Sequence, residues 1–217
     1  MIKIEKVNIV GWEDAIRGMR NPMNSWYNSD TTYESILKPR TNGDVEIVTN
    51  PNLGNKDLKL MSSLASSGTD HGKYLRMINV YCDITAPLYW WKEYDTYKVG
   101  TVANSCSTMH KIQEKEFELA DFSHEHLSKQ STKLLEEYIV KMLNIYRDKF
   151  NKTKDKNYWW QIIQLLPSSY NQKRTVMLNY ATIRNMYHSR KNHKLDEWSI
   201  GFCKWIEQLP YASELIM

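Results

Sequence analysis

An α+β fold is predicted for this chain: an antiparallel sheet joined to a largely helical C-terminal half. Three observations predict it. Short segments with a period near two occur early, at Ile2–Val10 and Met77–Ile84. A long segment with helical spacing, Ser131–Phe150, opens a second half that holds further helical patterns. The order is strand, helices, strand and then helices, which separates the two element types along the chain instead of alternating them.

The elements follow in order. Ile2 and Ile4, then Val7 and Ile9 after a one-residue slip, make an opening strand. Trp12–Met19 reads as a short helix, stopped by Asn21-Pro22. Asn24–Leu53 is rich in Ser, Thr, Asn, Asp, Pro and Gly and reads as an ordered loop with a small strand at Val45–Val48. Asn55 is placed as the cap of a helix with Leu58, Met61, Leu64 and Ala65 on its apolar face, ended by Ser66-Ser67-Gly68. Ile78, Val80, Cys82 and Ile84 form one face of the best strand in the chain. Pro87 sits where a helix would start, because the missing N–H costs nothing at the first position. That helix is expected over Leu88–Tyr97, with a break at Gly100 and a loop of small polar residues after it.

Phe117–Asp121 reads as an extended connector, and Leu135, Ile139, Met142 and Tyr146 give Ser131–Phe150 its apolar stripe. A polar loop at Asn151–Asn157 leads to a helix over Tyr158–Leu166, stopped by Pro167. Two last helices are expected at Thr175–Arg190 and Leu195–Leu209. No internal repeat and no linker divides the chain, so residues 1–217 read as one domain.

Composition bounds the function. The chain has 217 residues with 29 Lys+Arg against 25 Asp+Glu, a formal net charge of +4. That length supports a substantial core without staples. A hydrophobic share of 41% and a charged share of 25% exclude a disordered polyelectrolyte. No apolar run approaches the roughly 20 residues of a membrane helix, and the first residues lack the apolar stretch of a signal peptide. Cys82, Cys106 and Cys203 are odd in number and widely spaced, so they give neither a disulfide framework nor a metal motif. The six histidines show no ligand spacing. A reduced, cytoplasmic protein is expected, in the host cytoplasm should the source be a virus.

Aromatic usage is skewed, with 14 Tyr and 8 Trp against 4 Phe. Tyr and Trp join an apolar body to a polar tip, which suits pockets and interfaces. An AT-rich coding sequence would produce the same bias.

Two clusters could carry chemistry. The first is the aromatic helix holding Lys92 and Glu93 with the loop Thr101–His110, whose hydroxyls, amides and backbone N–H groups offer an anion cradle. A charged helix face running into a serine-rich turn is its plain structural alternative. The second contains Leu166-Pro167, Asn179, Arg184-Asn185, His188, Arg190 and His193. An Arg near a helix C-terminus is electrostatically comfortable there, so solvation alone would explain Arg190.

In this order and separation, the two clusters resemble the flavin-dependent thymidylate synthases (ThyX). In that family a strand ends in Ala-Pro, a helix follows, and then comes the signature R-H-R-x-x-S-x-N-x-x-S-x-R. Here Ala86-Pro87 leads to Thr96-Tyr97-Lys98, Thr101, Asn104 and Ser107, in frame if one residue is inserted between Thr101 and Asn104. His71, in Gly68-Thr69-Asp70-His71, stands where the family has a His-containing turn. Downstream, Leu166-Pro167, Asn179, Asn185 and Arg190 reproduce the family spacing without a gap. The resemblance covers about Asn21 to Glu197.

The resemblance implies a ThyX-like fold, FAD as cofactor, methylenetetrahydrofolate as one-carbon donor, and NADPH as the candidate reductant. It places FAD on His71, Lys98, Thr101, Asn104, Asn179 and Asn185, and a pyrimidine deoxynucleotide, dUMP or dCMP, on Glu93, Ser107 and Arg190. It implies no metal, no catalytic side chain beyond the cofactor's own chemistry, and a homotetramer in which the proline-led helix meets the Asn/Asn/Arg segment of a neighbouring copy. The expected reaction transfers a one-carbon unit to C5 of dUMP, giving dTMP, or 5-hydroxymethyl-dUMP if water replaces hydride. Cys106 is expected to be a small packing residue, not a nucleophile.

Several signature charges are missing. Thr96 and Tyr97 replace Arg and His, Thr108 or Met109 replaces the last Arg, and Ile163 stands where another Arg precedes the Leu-Pro. No neutral side chain reproduces the bidentate, charge-assisted bonds of an Arg fork. Lys73, Arg76, Lys92 and Lys111 are the nearby cations that could compensate. A non-catalytic relative that binds nucleotide or nucleic acid through stacking aromatics is the alternative.

Overall fold

Strand formation in this chain follows from which residues can alternate between a dry and a wet face. The computed structural model describes residues 2–39 and 45–217. β1 (Lys3–Val10), β4 (Asn79–Pro87), β5 (Thr101–Ser105) and β6 (Asn171–Asn179) form one sheet in the order β1-β4-β6-β5. Each neighbouring pair is antiparallel. Along β4, Val80, Cys82, Ile84 and Ala86 are buried, and on β6 Val176 and Leu178 lie beside them. This face carries the larger core, covered by α1 (Trp12–Arg20), α2 (Asn55–Ser66), α7 (Tyr180–Arg190) and the C-terminal residues Trp198, Phe202 and Ile206.

The opposite face is polar. Asp83 there accepts from the Thr175 hydroxyl at 2.7 Å and pairs with Lys173 at 3.0 Å. Those donors hold its carboxyl below the usual range.

The segment expected as a loop from Asn24 to Leu53 contains a separate two-stranded hairpin. β2 (Thr32–Pro39) pairs antiparallel with β3 (Val45–Asn52), which contains the expected strand at Val45–Val48. Residues 40–44 of that loop lie outside the described residues. The hairpin's base is fixed by Asp57, a fully buried carboxylate on α2. It takes Arg20 Nε at 2.7 Å, the Ser29 and Thr31 hydroxyls at 2.6 and 2.7 Å, and the N–H groups of Asp30 and Thr31.

Asn55 does not cap α2. The Asp30 carboxylate reaches the N–H groups of Lys56 and Asp57 from the preceding turn, satisfying the donors that a local cap would take.

α3 is Leu88–Tyr94, three residues shorter than expected, and Pro87 both ends β4 and stands at the N-cap of the helix. The first two N–H groups of α3 go to the carbonyls of Tyr170 and Ser168, at 3.0 and 3.1 Å. The turn after Leu166-Pro167 therefore caps the helix that follows Ala86-Pro87, which is why the two proline motifs belong together.

The long helix runs through α4 (Lys129–Leu134), a π turn (Leu135–Val140) and α5 (Lys141–Thr153). Its buried residues are Leu135, Val140 and Leu143, while Met142, placed on the stripe by sequence, is exposed. The five-residue step from Leu135 to Val140 fits a π turn, which keeps all three on one face. They pack with Ile112, Phe117, Phe122 and Ile162 as a second core. α5 ends at Thr153 and α6 (Lys156–Leu165) begins at the Asp155 cap, so the expected polar loop shrinks to Lys154 and Asp155. A short 3-10 turn at Leu119–Asp121 replaces the extended connector.

The largest correction concerns Thr175–Arg190. Its first part is strand β6, and the helix α7 starts only at Tyr180. β6 lies between β4 and β5, so both of its edges find ladder partners, and this pairing decides for strand over Thr175–Asn179, the first part of the expected helix. The last expected helix, Leu195–Leu209, is a π turn at Glu197–Phe202 followed by α8 (Cys203–Ile206), with α9 (Ala212–Leu215) beyond Pro210. Among the described residues no helix is long and apolar enough to cross a membrane.

Candidate functional site

The C-terminal end of α3 and the C-terminal end of α7 meet through charge. Arg190 Nη1 donates to Glu93 Oε2, and Arg190 Nε donates to the Tyr97 hydroxyl at 2.8 Å. The guanidinium lies over the Tyr97 and Trp198 rings, 5.4 and 5.0 Å from their centroids. Beneath it, Trp198 stacks on Trp90 at 4.5 Å. Cation–π contact and a rigid indole floor fix where this arginine points.

His193 completes the cluster. The Leu195 N–H donates to His193 Nδ1 at 3.1 Å, and Nε2 lies 3.2 Å from Glu93 Oε2. An accepting Nδ1 leaves the neutral ring's proton on Nε2, directed at the carboxylate. Glu93 Oε2 thus receives two donors. Among the described residues, Glu93 Oε1 and Arg190 Nη2 have no partner. The pair is only partly covered, with side-chain exposures of 34% for Glu93 and 18% for Arg190. One open acceptor beside one open donor can take a planar group carrying an N–H next to a lone pair.

The turn between α3 and β5 packs on the start of α7. Thr182 Oγ1 donates to the Val99 carbonyl at 3.1 Å. Gly100 has a positive φ of 78°, and a Cβ there would lie 2.5 Å from both Asn179 Nδ2 and Thr182 Oγ1. Only glycine fits this corner. The turn after the proline-led helix and the start of α7 thus meet within one chain.

Each predicted residue has a definite place. Asn179 is buried at the end of β6 and caps α7, its Oδ1 accepting from Thr182 N at 2.9 Å, which leaves Nδ2 toward Gly100. Thr101, opposite Leu178 in the ladder, gives its hydroxyl to the Tyr97 carbonyl. Asn104 is exposed on edge strand β5, opposite Thr175, where a loop was expected. Lys98 is exposed beside the Gly100 corner. His71 and Asn185 are also exposed; His71 precedes the 3-10 turn Gly72–Arg76, which packs against α1, α2 and α7.

Ser107 Oγ accepts from the N–H groups of Met109 and His110, at 3.1 and 2.9 Å, and keeps its own proton to donate. Asn179 therefore lines the Gly100 corner, with Thr101 next to that glycine and Lys98 two residues before it in the chain, and Glu93 shares the neighbouring corner with Arg190. His71, Asn104 and Asn185 join neither cluster by any hydrogen bond or ion pair.

The residues expected to hold FAD fit it in kind. The Gly100 corner is a cradle that a side chain would fill, and the six residues contain amides, a hydroxyl, an imidazole and an ammonium but no carboxylate. Such a set suits a carbonyl-rich anion. Nearby, the indole N–H groups of Trp90 and Trp198 and the Tyr94 hydroxyl are buried without a partner among the described residues. Burial raises the Tyr94 hydroxyl well above its ordinary pKa, so it remains protonated. Cys82, buried in the core, is pushed up to about 12, and no thiolate is available from it.

Sequence reasoning passed over Trp198 and left His193 without a role. An Arg three residues before a His and eight before a Trp is a weak signal by itself. Tyr97, which stands in place of a signature His, is the acceptor that holds Arg190.

No family model matches this chain, and no curated protein matches it. Solved structures do. A Helicobacter pylori Thymidylate Synthase X (ThyX) with FAD and dUMP superposes with a TM-score of 0.67 at 16% identity, covering 100% of this chain and 97% of that one. A second H. pylori flavin-dependent thymidylate synthase, complexed with FAD and dUMP, gives 0.65 at 17% identity, covering 98% of each chain. The UMP/dUMP methylase PolB from Streptomyces cacaoi, bound with 5-Br dUMP, gives 0.60 at 12% identity, covering 99% of this chain and 91% of that one. At these identities the likeness establishes a ThyX-like fold.

Proposed function

We propose that this protein is a flavin-dependent enzyme that adds a one-carbon unit to C5 of a pyrimidine deoxynucleotide, dUMP or dCMP. In this reading one domain of 217 residues acts as a homotetramer. The observation that carries the reading is the half-open pair of Glu93 and Arg190, whose free acceptor and free donor complement a pyrimidine edge. Three structures with this fold, two ThyX and one UMP/dUMP methylase, carry dUMP or its 5-bromo analogue, which supports the same substrate class.

Arg190 Nη2 donates to a base carbonyl or ring nitrogen, and Glu93 Oε1 accepts the adjacent N–H. His193 and Tyr97 keep both groups oriented before the ligand arrives, so little ordering is left for the binding step. Ser107 gives its hydroxyl proton to the nucleotide. Lys98, Thr101, Asn104, Asn179 and Asn185 hold FAD with His71 at its edge, and bound flavin supplies the electrons, while methylenetetrahydrofolate supplies the carbon. The chain's own work is orientation and exclusion of water from the Trp90–Trp198 floor.

Whether the product carries methyl or hydroxymethyl depends on whether hydride or water completes the reaction. Purified protein incubated with FAD, dUMP, methylenetetrahydrofolate and NADPH should return a nucleotide heavier by one carbon unit. A colourless protein that takes up no FAD and leaves dUMP and dCMP at their starting mass would overturn the reading. It would favour instead a nucleotide or nucleic-acid binder, for which the exposed rings of Trp26 and Tyr27 offer stacking surfaces.

A further inference from the structure

The nucleotide of the proposed function ends in a phosphate, and the signature arginines expected near it are replaced by Thr96 and by Thr108 or Met109. We propose that Arg174, a residue of β6 outside every expected motif, supplies the missing guanidinium and binds the phosphate beside the Ser107 turn. This inference rests on the pyrimidine-nucleotide reading above.

Register and side-chain bonds place it there. Arg174 is opposite Ser105 in the ladder, two residues before Ser107. Its Nε donates to Gln172 Oε1 at 3.0 Å, and Gln172 Nε2 donates to the Cys106 carbonyl at 2.7 Å. One buried glutamine therefore fastens both the arginine and the residue preceding Ser107. The guanidinium lies 4.2 Å from the centroid of Trp91, whose own N–H is spent on the Gln172 carbonyl. Nη1 pairs with Asp95 at 2.7 Å, and Nη2 has no partner among the described residues. The arginine side chain is 13% exposed and the aspartate 53%. A stacked, oriented guanidinium whose counter-ion is solvated is ready to exchange that carboxylate for a phosphate.

The other cations are worse placed. Lys111 is tied to Glu114 in the exposed turn beyond Ser107. Lys173 turns to the opposite sheet face, against Asp83. Lys73 and Arg76 belong to the Gly72–Arg76 turn, packed on α1, α2 and α7. Lys92 is exposed, and nothing among the described residues orients it.

Calorimetric titration of dUMP and deoxyuridine into the wild type, Arg174→Gln and Asp95→Asn separates this role from a structural one. Arg174→Gln should weaken dUMP by roughly thirtyfold or more and leave deoxyuridine unchanged. Asp95→Asn keeps the arginine and removes its competitor, so it should tighten dUMP even if Arg174→Gln fails to fold. Equal losses for both ligands in Arg174→Gln, or dUMP unchanged or weakened in Asp95→Asn, would overturn the assignment of Arg174 alone. A wild type that binds neither ligand would remove the nucleotide reading itself.

Discussion

Arg20 with Asp57 and Arg190 with Glu93 are both carboxylate–arginine pairs between remote parts of the chain, 37 and 97 residues apart. The first is sealed. Asp57 has no exposure, and both of its oxygens are filled by Arg20, Ser29, Thr31 and backbone N–H groups. The second is half-open, with one oxygen and one nitrogen unspent. A saturated pair has nothing to offer a ligand and can only hold the fold. An oriented pair with spare valence can do both. The difference lies in the neighbours, because donors from adjoining loops close Asp57, while Tyr97 and His193 orient Arg190 and Glu93 without covering them.

Removing Asp57 should be the most damaging test of this contrast. Asp57→Ala leaves Arg20 buried without its counter-charge and should cost about 3–5 kcal/mol in urea unfolding. A loss below about 1 kcal/mol would show that the sealed pair does not hold the fold.

Acid sharpens the same point. Burial works to raise the Asp57 carboxyl, but Ser29, Thr31 and Arg20 outweigh it and hold the folded pKa below the ordinary value. Its stabilisation is therefore complete above about pH 4 and lost as the pH falls through the lowered folded value. Asp30 and Asp83, also held low, act in the same direction. The wild type should lose stability below about pH 4 more steeply than Asp57→Asn, and parallel curves would contradict the assignment.

At the open pair the effects move from folding to binding. His193→Gln presents an N–H to Glu93 and an acceptor to Leu195, as the Nε2–H imidazole does, and should retain dUMP affinity. His193→Ala should lose about 1–2 kcal/mol of binding, and equal affinities in the two variants would remove His193 from the site. Smaller still is the cap: Asn179→Ala should destabilise α7 by about 1 kcal/mol, read as a shift in the unfolding midpoint.

Much of this contrast was legible beforehand, but unevenly. The family resemblance assigns Glu93 and Arg190 to one ligand, and the structure joins them. β4 was legible because Ile78, Val80, Cys82 and Ile84 alternate without interruption. β6 was not, because Val176-Met177-Leu178 is apolar at every position and its strand identity comes from β4 and β5, remote in sequence. Asn179 was read as a ligand, and its side-chain oxygen proves to be a helix cap, a role set by where β6 stops. The hairpin β2–β3 hid in a Pro- and Asn-rich stretch that composition alone assigns to loop. Arg174 carried no motif at all, and only the ladder register brings it to the Ser107 turn.

The half-open pair is best tested by titrating dUMP into the wild type and Arg190→Ala while following urea unfolding of both. The account predicts that the variant loses about 2–5 kcal/mol of binding free energy with its unfolding midpoint nearly unmoved. Unchanged dUMP affinity, or a loss of affinity no larger than the accompanying loss of stability, would contradict it.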